Sequence, residues 1–245
     1  QLQRSVPAPV KAPVAVADSG LFDLQASASA PQVVAPAVAG LPAVGAEVAE
    51  SESVAPARSA HYETILDAER FAVWLEKLQQ AELIAFDTET TSVDAQQAQI
   101  VGVSFAVKVG EAAYVPLTHS YMGVPTQLDR DTVLKALKPL LEDPHKAKVG
   151  QHAKYDINVL ANCALDGDPS NGINVQGVAF DSMLESYVLD STATRHNMDA
   201  LALKYLDYST IAFEDIAGKG AKQLTFDQIA LELACPYAAE DADIT

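Results

Sequence analysis

An α/β fold, a mixed β-sheet flanked by helices, is predicted for residues 61–245 by three features of the sequence. Strand-length apolar runs come first, and helical segments interleaved with short strands follow. The early strands are joined by connections as tight as Lys108-Val109-Gly110, which makes an antiparallel meander. The helical segments carry apolar residues at helical spacing, with polar residues facing out. No internal repeat is present.

Taken in order, His61 to Leu66 reads as a strand. Asp67 then caps a helix in which Phe71, Trp74, Leu75 and Leu78 share one face while Glu76, Lys77 and Gln79 face out. Leu83–Thr90 is a buried strand, Gln99–Val107 a second and Glu111–Leu117 a third. Asp129–Leu141 is an amphipathic helix with Val133, Leu134, Leu137, Leu140 and Leu141 inward, and Pro144 ends that region. Lys146–Val149 is a short strand running into Gly150, and His152–Ala161 a helix burying Ile157 and Leu160. The stretch from Asp166 to Asn174, rich in Asp, Gly, Asn and Pro, is a loop. Val178–Phe180 is a further strand, Asp181 caps a helix over Ser182–Asp190, and Asn197 caps another through Tyr205. Gly218-Lys219-Gly220 is a loop and lacks the GxxxxGK[ST] pattern of a phosphate-binding P-loop. A last helix runs through Tyr237 and Asp241, with Pro236 starting or kinking it.

Residues 1–60 differ in composition. They hold seven of the 13 prolines in the 245-residue chain and one aromatic, Phe22. Proline at that density breaks helices and ladders, and so few large apolar groups cannot offset the entropy of ordering. A disordered Ala/Pro/Val-rich interdomain linker is expected there, with Leu21-Phe22-Asp23-Leu24 as a stray apolar patch or short docking motif. The chain has no initiator Met and ends mid-pattern at Asp243-Ile244-Thr245, so a fragment of a longer protein is expected. The formal net charge is −17, of which residues 1–60 supply only −2. Such acidity argues against a broad phosphate-gripping surface, though a nucleic acid met through divalent metal is compatible with it. Cys163 and Cys235 form no CxxC or Cys/His array, which argues against zinc and for two reduced thiols in a cytosolic protein. No apolar run approaches the roughly 18 residues of a membrane span.

Carboxylates that could meet occur in three segments. In Phe86-Asp87-Thr88-Glu89-Thr90, Asp87 and Glu89 are two apart on a strand and point to one face. Like charges that close repel unless a cation stands between them. Taken alone the pair is weak, because acids at a strand end are more often turn formers or solvated residues. Asp156 lies in Gly150-Gln151-His152-Ala153-Lys154-Tyr155-Asp156. Tyr237 and Asp241 are four apart and share a helix face, while Glu240 and Asp243 point elsewhere, toward solvent. Ala238, Ala239 and Ala242 are small enough to let this helix lie close on a sheet.

The strings FDTET, VGQHAKYD and YAAEDADIT, in this order and at these separations, resemble the 3′–5′ exonuclease domain of bacterial family A DNA polymerases. More widely they resemble the DnaQ-like, DEDD-type exonucleases with a tyrosine in the last motif. The resemblance runs from about Tyr62 to the end and includes the connecting stretches AFDSMLESYVLDS and RHNMDALALKYL. It implies a ribonuclease H-like fold and hydrolysis assisted by two Mg²⁺ or Mn²⁺ ions. By motif position it implies that Asp87, Glu89 and Asp241 hold one ion. Asp87 would also reach the second, with Asp156 nearby directly or through water, and Tyr237 would help orient the attacking water. The implied substrate is a single-stranded or frayed DNA 3′ end. The implied parent is a monomeric polymerase of the DNA polymerase I type in the bacterial cytoplasm, acting in replication and repair, with residues 61–245 as its exonuclease domain.

The resemblance further places Val93, Gln151, His152, Tyr155, Met183, Arg195 and Phe213 at substrate-contacting positions. Core packing is the competing reading for Val93, Met183 and Phe213, and a surface ion pair for Arg195. His152 stands where the family has Asn. Asp181 reads as a helix cap, and His119 and His145 as solvated. The Asp166–Asn174 loop is longer than the family pattern and reads as a surface insertion. Two other functions are consistent with these motifs: an exoribonuclease like ribonuclease D, and a non-catalytic scaffold, which the presence of all four acids and Tyr237 disfavours.

Overall fold

A computed structural model of the chain describes residues 60–192 and 195–245. The linker assigned to residues 1–60, with Leu21–Leu24, falls outside these apart from Ala60. The described residues form a six-stranded mixed sheet in the order β1-β4-β3-β2-β5-β6. The strands are β1 (His61–Thr64), β2 (Leu83–Thr90), β3 (Ile100–Lys108), β4 (Glu111–Pro116), β5 (Ala147–Gly150) and β6 (Val178–Asp181). β2, β3 and β4 are the expected antiparallel meander, and β1, β5 and β6 add to it in parallel.

The two faces of the sheet differ in chemistry. Ile84 and Phe86 of β2, Val103 and Phe105 of β3, and Ala113 and Val115 of β4 project to one face. There they pack with α1 (Ala68–Gln80), α2 (Arg130–Leu141) and α3 (Lys154–Ala161) in the principal core. Alternation sends Ala85, Asp87 and Glu89 to the other face. That face is covered by α7 (Leu231–Ile244), through Ala239 and Ala242 packed with Ala85, Ala106 and Ala112. Ala238, Ala239 and Ala242 are all buried, so the small side chains do bring this helix close. The remaining helices are α4 (Ser182–Leu189), α5 (Met198–Leu206) and the short α6 (Phe213–Ala217), which the sequence pattern left unassigned.

The helix starts follow their caps. Asp67 accepts from the Arg70 amide at 2.8 Å, and Asp129 from the Thr132 amide at 2.8 Å. Trp74 of α1 is tied to β1 by Glu63, which accepts from Trp74 Nε1 at 2.9 Å and, through both oxygens, from Arg70. Those bonds to Arg70 hold the Glu63 carboxyl at about 2, below the usual carboxylate range.

Several expectations are corrected. Glu240 and Asp243 are buried, not solvated. Glu240 accepts from the Tyr208 hydroxyl at 2.6 Å and the Ile211 amide at 2.7 Å. Asp243 accepts from the Tyr62 hydroxyl at 2.9 Å and the Gly110 amide at 2.6 Å. His119 is buried too, between Tyr114 and the Ile229 carbonyl, whereas His145 is exposed as expected. α3 starts two residues late, because His152 has φ +57°. Val159 is buried with Leu160, and Ile157 only partly. Asn197 stands at the N-cap of α5 without a side-chain cap bond. Pro236 lies inside α7 and does not start it; it has no N–H to give the Glu232 carbonyl. The Asp166–Asn174 loop is only partly a surface feature. Its tip is exposed, with Lys135 bonded to Asp166 and Asp168 accepting from Ser170, but Ile173 is fully buried in the core.

Candidate active site

Asp87 and Glu89 sit near the C-terminal end of β2, on the face covered by α7, and α7 brings Asp241 over them. One oxygen from each of Asp87, Glu89 and Asp241 lies within 4.8 Å of the others. Asp156 approaches from α3 and is tied to the strand between the two acids. Its Oδ1 accepts from the Thr88 amide at 3.0 Å and the Thr88 hydroxyl at 2.5 Å. The four predicted acids thus converge, with three in one tight group and Asp156 anchored beside it.

Electrostatics mark the cluster. Burial pushes Asp87 up to about 6, partly offset by the Thr88 amide. Glu89 is raised well above its ordinary range by burial, then by repulsion from Asp87, Asp241 and Asp156. Burial and Asp87 do the same to Asp156 and Asp241. The Tyr237 hydroxyl, beside the Asp241 carboxylate, works the other way. Glu89 is buried, and its Oε1 has no hydrogen-bond partner. Hard oxygen donors, mutual repulsion and an orphaned buried oxygen are the conditions a divalent cation relieves, so this donor set fits a hard divalent cation.

The other predicted residues fall into two groups. Tyr237 is next to the acids, and the Phe213 ring packs edge-on against it at 6.0 Å while stacking on Phe226. Val93 is 92% exposed, which excludes core packing. Arg195 and His152 are exposed and Met183 is half-buried. Gln151 and Tyr155 are engaged within the protein. Gln151 accepts from Ser182 at 2.5 Å and donates to the His196 carbonyl at 2.9 Å. Tyr155 bonds Thr90 and the Ser92 carbonyl.

Two supporting residues escape a motif reading. Thr88 faces away from Asp87 and Glu89, yet its amide and hydroxyl fix Asp156. Asp181 caps α4 through the Leu184 amide at 3.1 Å, as expected, but also accepts from the His152 and Ala153 amides at the start of α3. It therefore fixes the turn that delivers Asp156. His152 takes the left-handed conformation in that turn, one that Asn adopts more readily than most residues.

The sequence model of the 3′–5′ exonuclease family matches residues 62–245, which include all four acids and Tyr237. The chain belongs to that family. It is 77% identical over 184 residues to a DNA polymerase I of Pseudomonas aeruginosa, covering 75% of this chain and 20% of that protein. It is 37% identical over 214 residues to a DNA polymerase I of Rhizobium leguminosarum, covering 80% and 20%. The chain thus spans about a fifth of the length of these curated relatives. The crystal structure of Trypanosoma brucei RNase D superposes with a TM-score of 0.58 at 17% identity, covering 75% of this chain and 61% of that one. This is a likeness of fold, and the fold of this exonuclease domain is the ribonuclease H-like one. No helix among the described residues is long and apolar enough to cross a membrane.

Proposed function

We propose that residues 61–245 form a proofreading domain that removes nucleoside 5′-monophosphates from single-stranded or frayed 3′ ends of DNA. The observation that carries the reading is the convergence of Asp87, Glu89 and Asp241 around an unpartnered buried oxygen, in a chain of the 3′–5′ exonuclease family. Asp87, Glu89 and Asp241 would hold one divalent cation, and Asp87 with Asp156 a second. Two such ions would supply stabilisation of charge on the attacking and departing oxygens. Water adds to the terminal phosphorus, the P–O3′ bond breaks, and the 3′ oxygen leaves with a proton as the new DNA end.

The residues of this chain supply the rest. Tyr237, which lies beside Asp241, orients the attacking water. Its raised pKa, caused first by burial and then by Asp241, Glu89 and Asp87, keeps the phenol protonated as a hydrogen-bond donor. Phe213 and the exposed Val93 offer apolar surface to the last bases, and Arg195 a phosphate contact. Gln151 and Tyr155 act indirectly, by holding the backbone on either side of the acids.

The similarity to DNA polymerase I proteins supports a polymerase parent that delivers frayed ends in the bacterial cytoplasm, with residues 1–60 as an interdomain linker. The test uses labelled single-stranded DNA and matched RNA with Mg²⁺. Shortening of the DNA from its 3′ end with release of 5′-monophosphates is expected, and an Asp87→Ala/Glu89→Ala double variant should abolish it. Degradation of DNA by that variant at the normal rate would refute the site. A preference for RNA would move the assignment to an exoribonuclease.

A further inference from the structure

Two buried side-chain polar atoms among the described residues have no hydrogen-bond partner, Glu89 Oε1 and Ser104 Oγ. A divalent cation accounts for the first. Ser104 is fully buried in β3 and stands in register between Asp87 of β2 and Tyr114 of β4. Directly opposed residues of antiparallel strands project to the same side, so the Ser104 hydroxyl lies on the face that carries the acids. An unpaired buried hydroxyl is destabilising, and alanine would fill the same strand position without that cost.

Tyr114 does not need this hydroxyl. The Tyr114 ring passes over Gly102, where a Cβ would lie 2.2 Å from the phenol oxygen. That phenol is bonded to His119 Nε2 at 2.8 Å. His119 Nδ1 faces the Ile229 carbonyl at 3.0 Å. A carbonyl only accepts, so Nδ1 carries the proton and Nε2 takes the hydrogen bond from Tyr114. Above the sheet, the buried α7 side chains Ala238, Ala239 and Ala242 offer no polar atom, and buried Cys235, which packs with Tyr114, offers only a weakly hydrogen-bonding thiol. The polar group left beside Ser104 in register is the Asp87 carboxylate, and opposed Cβ atoms about 4.5–5.5 Å apart leave the two side chains within reach.

We propose that Ser104 is a positioning residue whose hydroxyl donates to the Asp87 carboxylate when Asp87 holds a divalent cation. The inference rests on the metal-site reading above. Asp87 then keeps one oxygen on Ser104 and presents the other to the cation, so its rotamer is set by the β3 strand. Partners of this outer kind commonly change metal affinity 10- to 100-fold.

The test is calorimetric titration of the full chain with Mn²⁺, for the wild type, Ser104→Ala and Asp87→Ala, together with metal-free melting curves. Ser104→Ala is expected to melt at or above the wild-type temperature and to bind Mn²⁺ about ten-fold more weakly. Unchanged Mn²⁺ affinity in Ser104→Ala overturns the inference. A lowered metal-free melting temperature also overturns it, by assigning the hydroxyl to packing. If the wild type binds no Mn²⁺, or Asp87→Ala binds it as well as the wild type does, the metal-site reading fails and this one with it.

Discussion

Asp87 and Glu89, like Asp156 and Asp241, carry a clear pH signature. Both hold their protons to higher pH in the folded chain than in the unfolded one, chiefly because burial disfavours the charged form. Between the ordinary value of 3.8 and about 6, folded Asp87 binds more protons than unfolded Asp87. Its contribution to stability is therefore complete below that window and lost as pH rises through it. Asp156, Glu89 and Asp241 extend the loss in the same direction. A divalent cation competes with those protons and reverses the loss. Magnesium should accordingly raise the melting temperature more at about pH 8 than at about pH 5. Differential scanning fluorimetry with and without Mg²⁺ measures this, and equal shifts at both pH values would contradict it.

Among the elements, α3 and α7 deliver acids to β2 by different devices. α3 depends on Asp181, one carboxylate that caps α4 and also holds the His152 and Ala153 amides. Loss of a cap costs about 0.5–2 kcal/mol. Asp181→Ala and Asp129→Ala should both lose stability on that scale. Only Asp181→Ala should also lose nuclease turnover, because it releases the turn leading to Asp156. Denaturant melts paired with single-turnover assays separate the two, and equal activity in both variants would remove Asp181 from the site. α7 depends on its alanines, where a small side chain permits the close approach of helix to sheet. Its buried acids are satisfied individually, Glu240 by Tyr208 and Ile211 and Asp243 by Tyr62 and Gly110, which pins the helix beside Asp241.

For the whole molecule, the net charge of −17 fits a domain that meets phosphates through bound cations instead of a basic groove. The family match begins at residue 62, close to the compositional change near His61. Removing residues 1–59 should therefore leave the melting temperature and the Mg²⁺-dependent nuclease activity unchanged. Comparison of the shortened and full chains by calorimetry and a 3′-end assay checks this, and loss of either property would place part of the domain before residue 60.

Much of this architecture was legible in the sequence because its signals are local. The period of two in β2 and the helical periods in α1 and α2 reflect which side chains must leave water, and each is visible within a dozen residues. The same alternation puts Asp87 and Glu89 on one face, and a four-residue spacing puts Tyr237 above Asp241. Tertiary structure decided the rest. Whether an acid is solvated depends on what crosses over it, so Glu240 and Asp243 read as solvent-facing until Tyr208 and Tyr62 are brought to them from 32 and 181 residues away. His119 needed Ile229, 110 residues on, to become a core residue. Asp181 looked like one cap and proved to be two, because β6 lies beside β5. FDTET marks where the acids begin; only the packing of α7 and α3 on β2 turns them into one site, since repulsion among four carboxylates can be imposed only by a fold that holds them together.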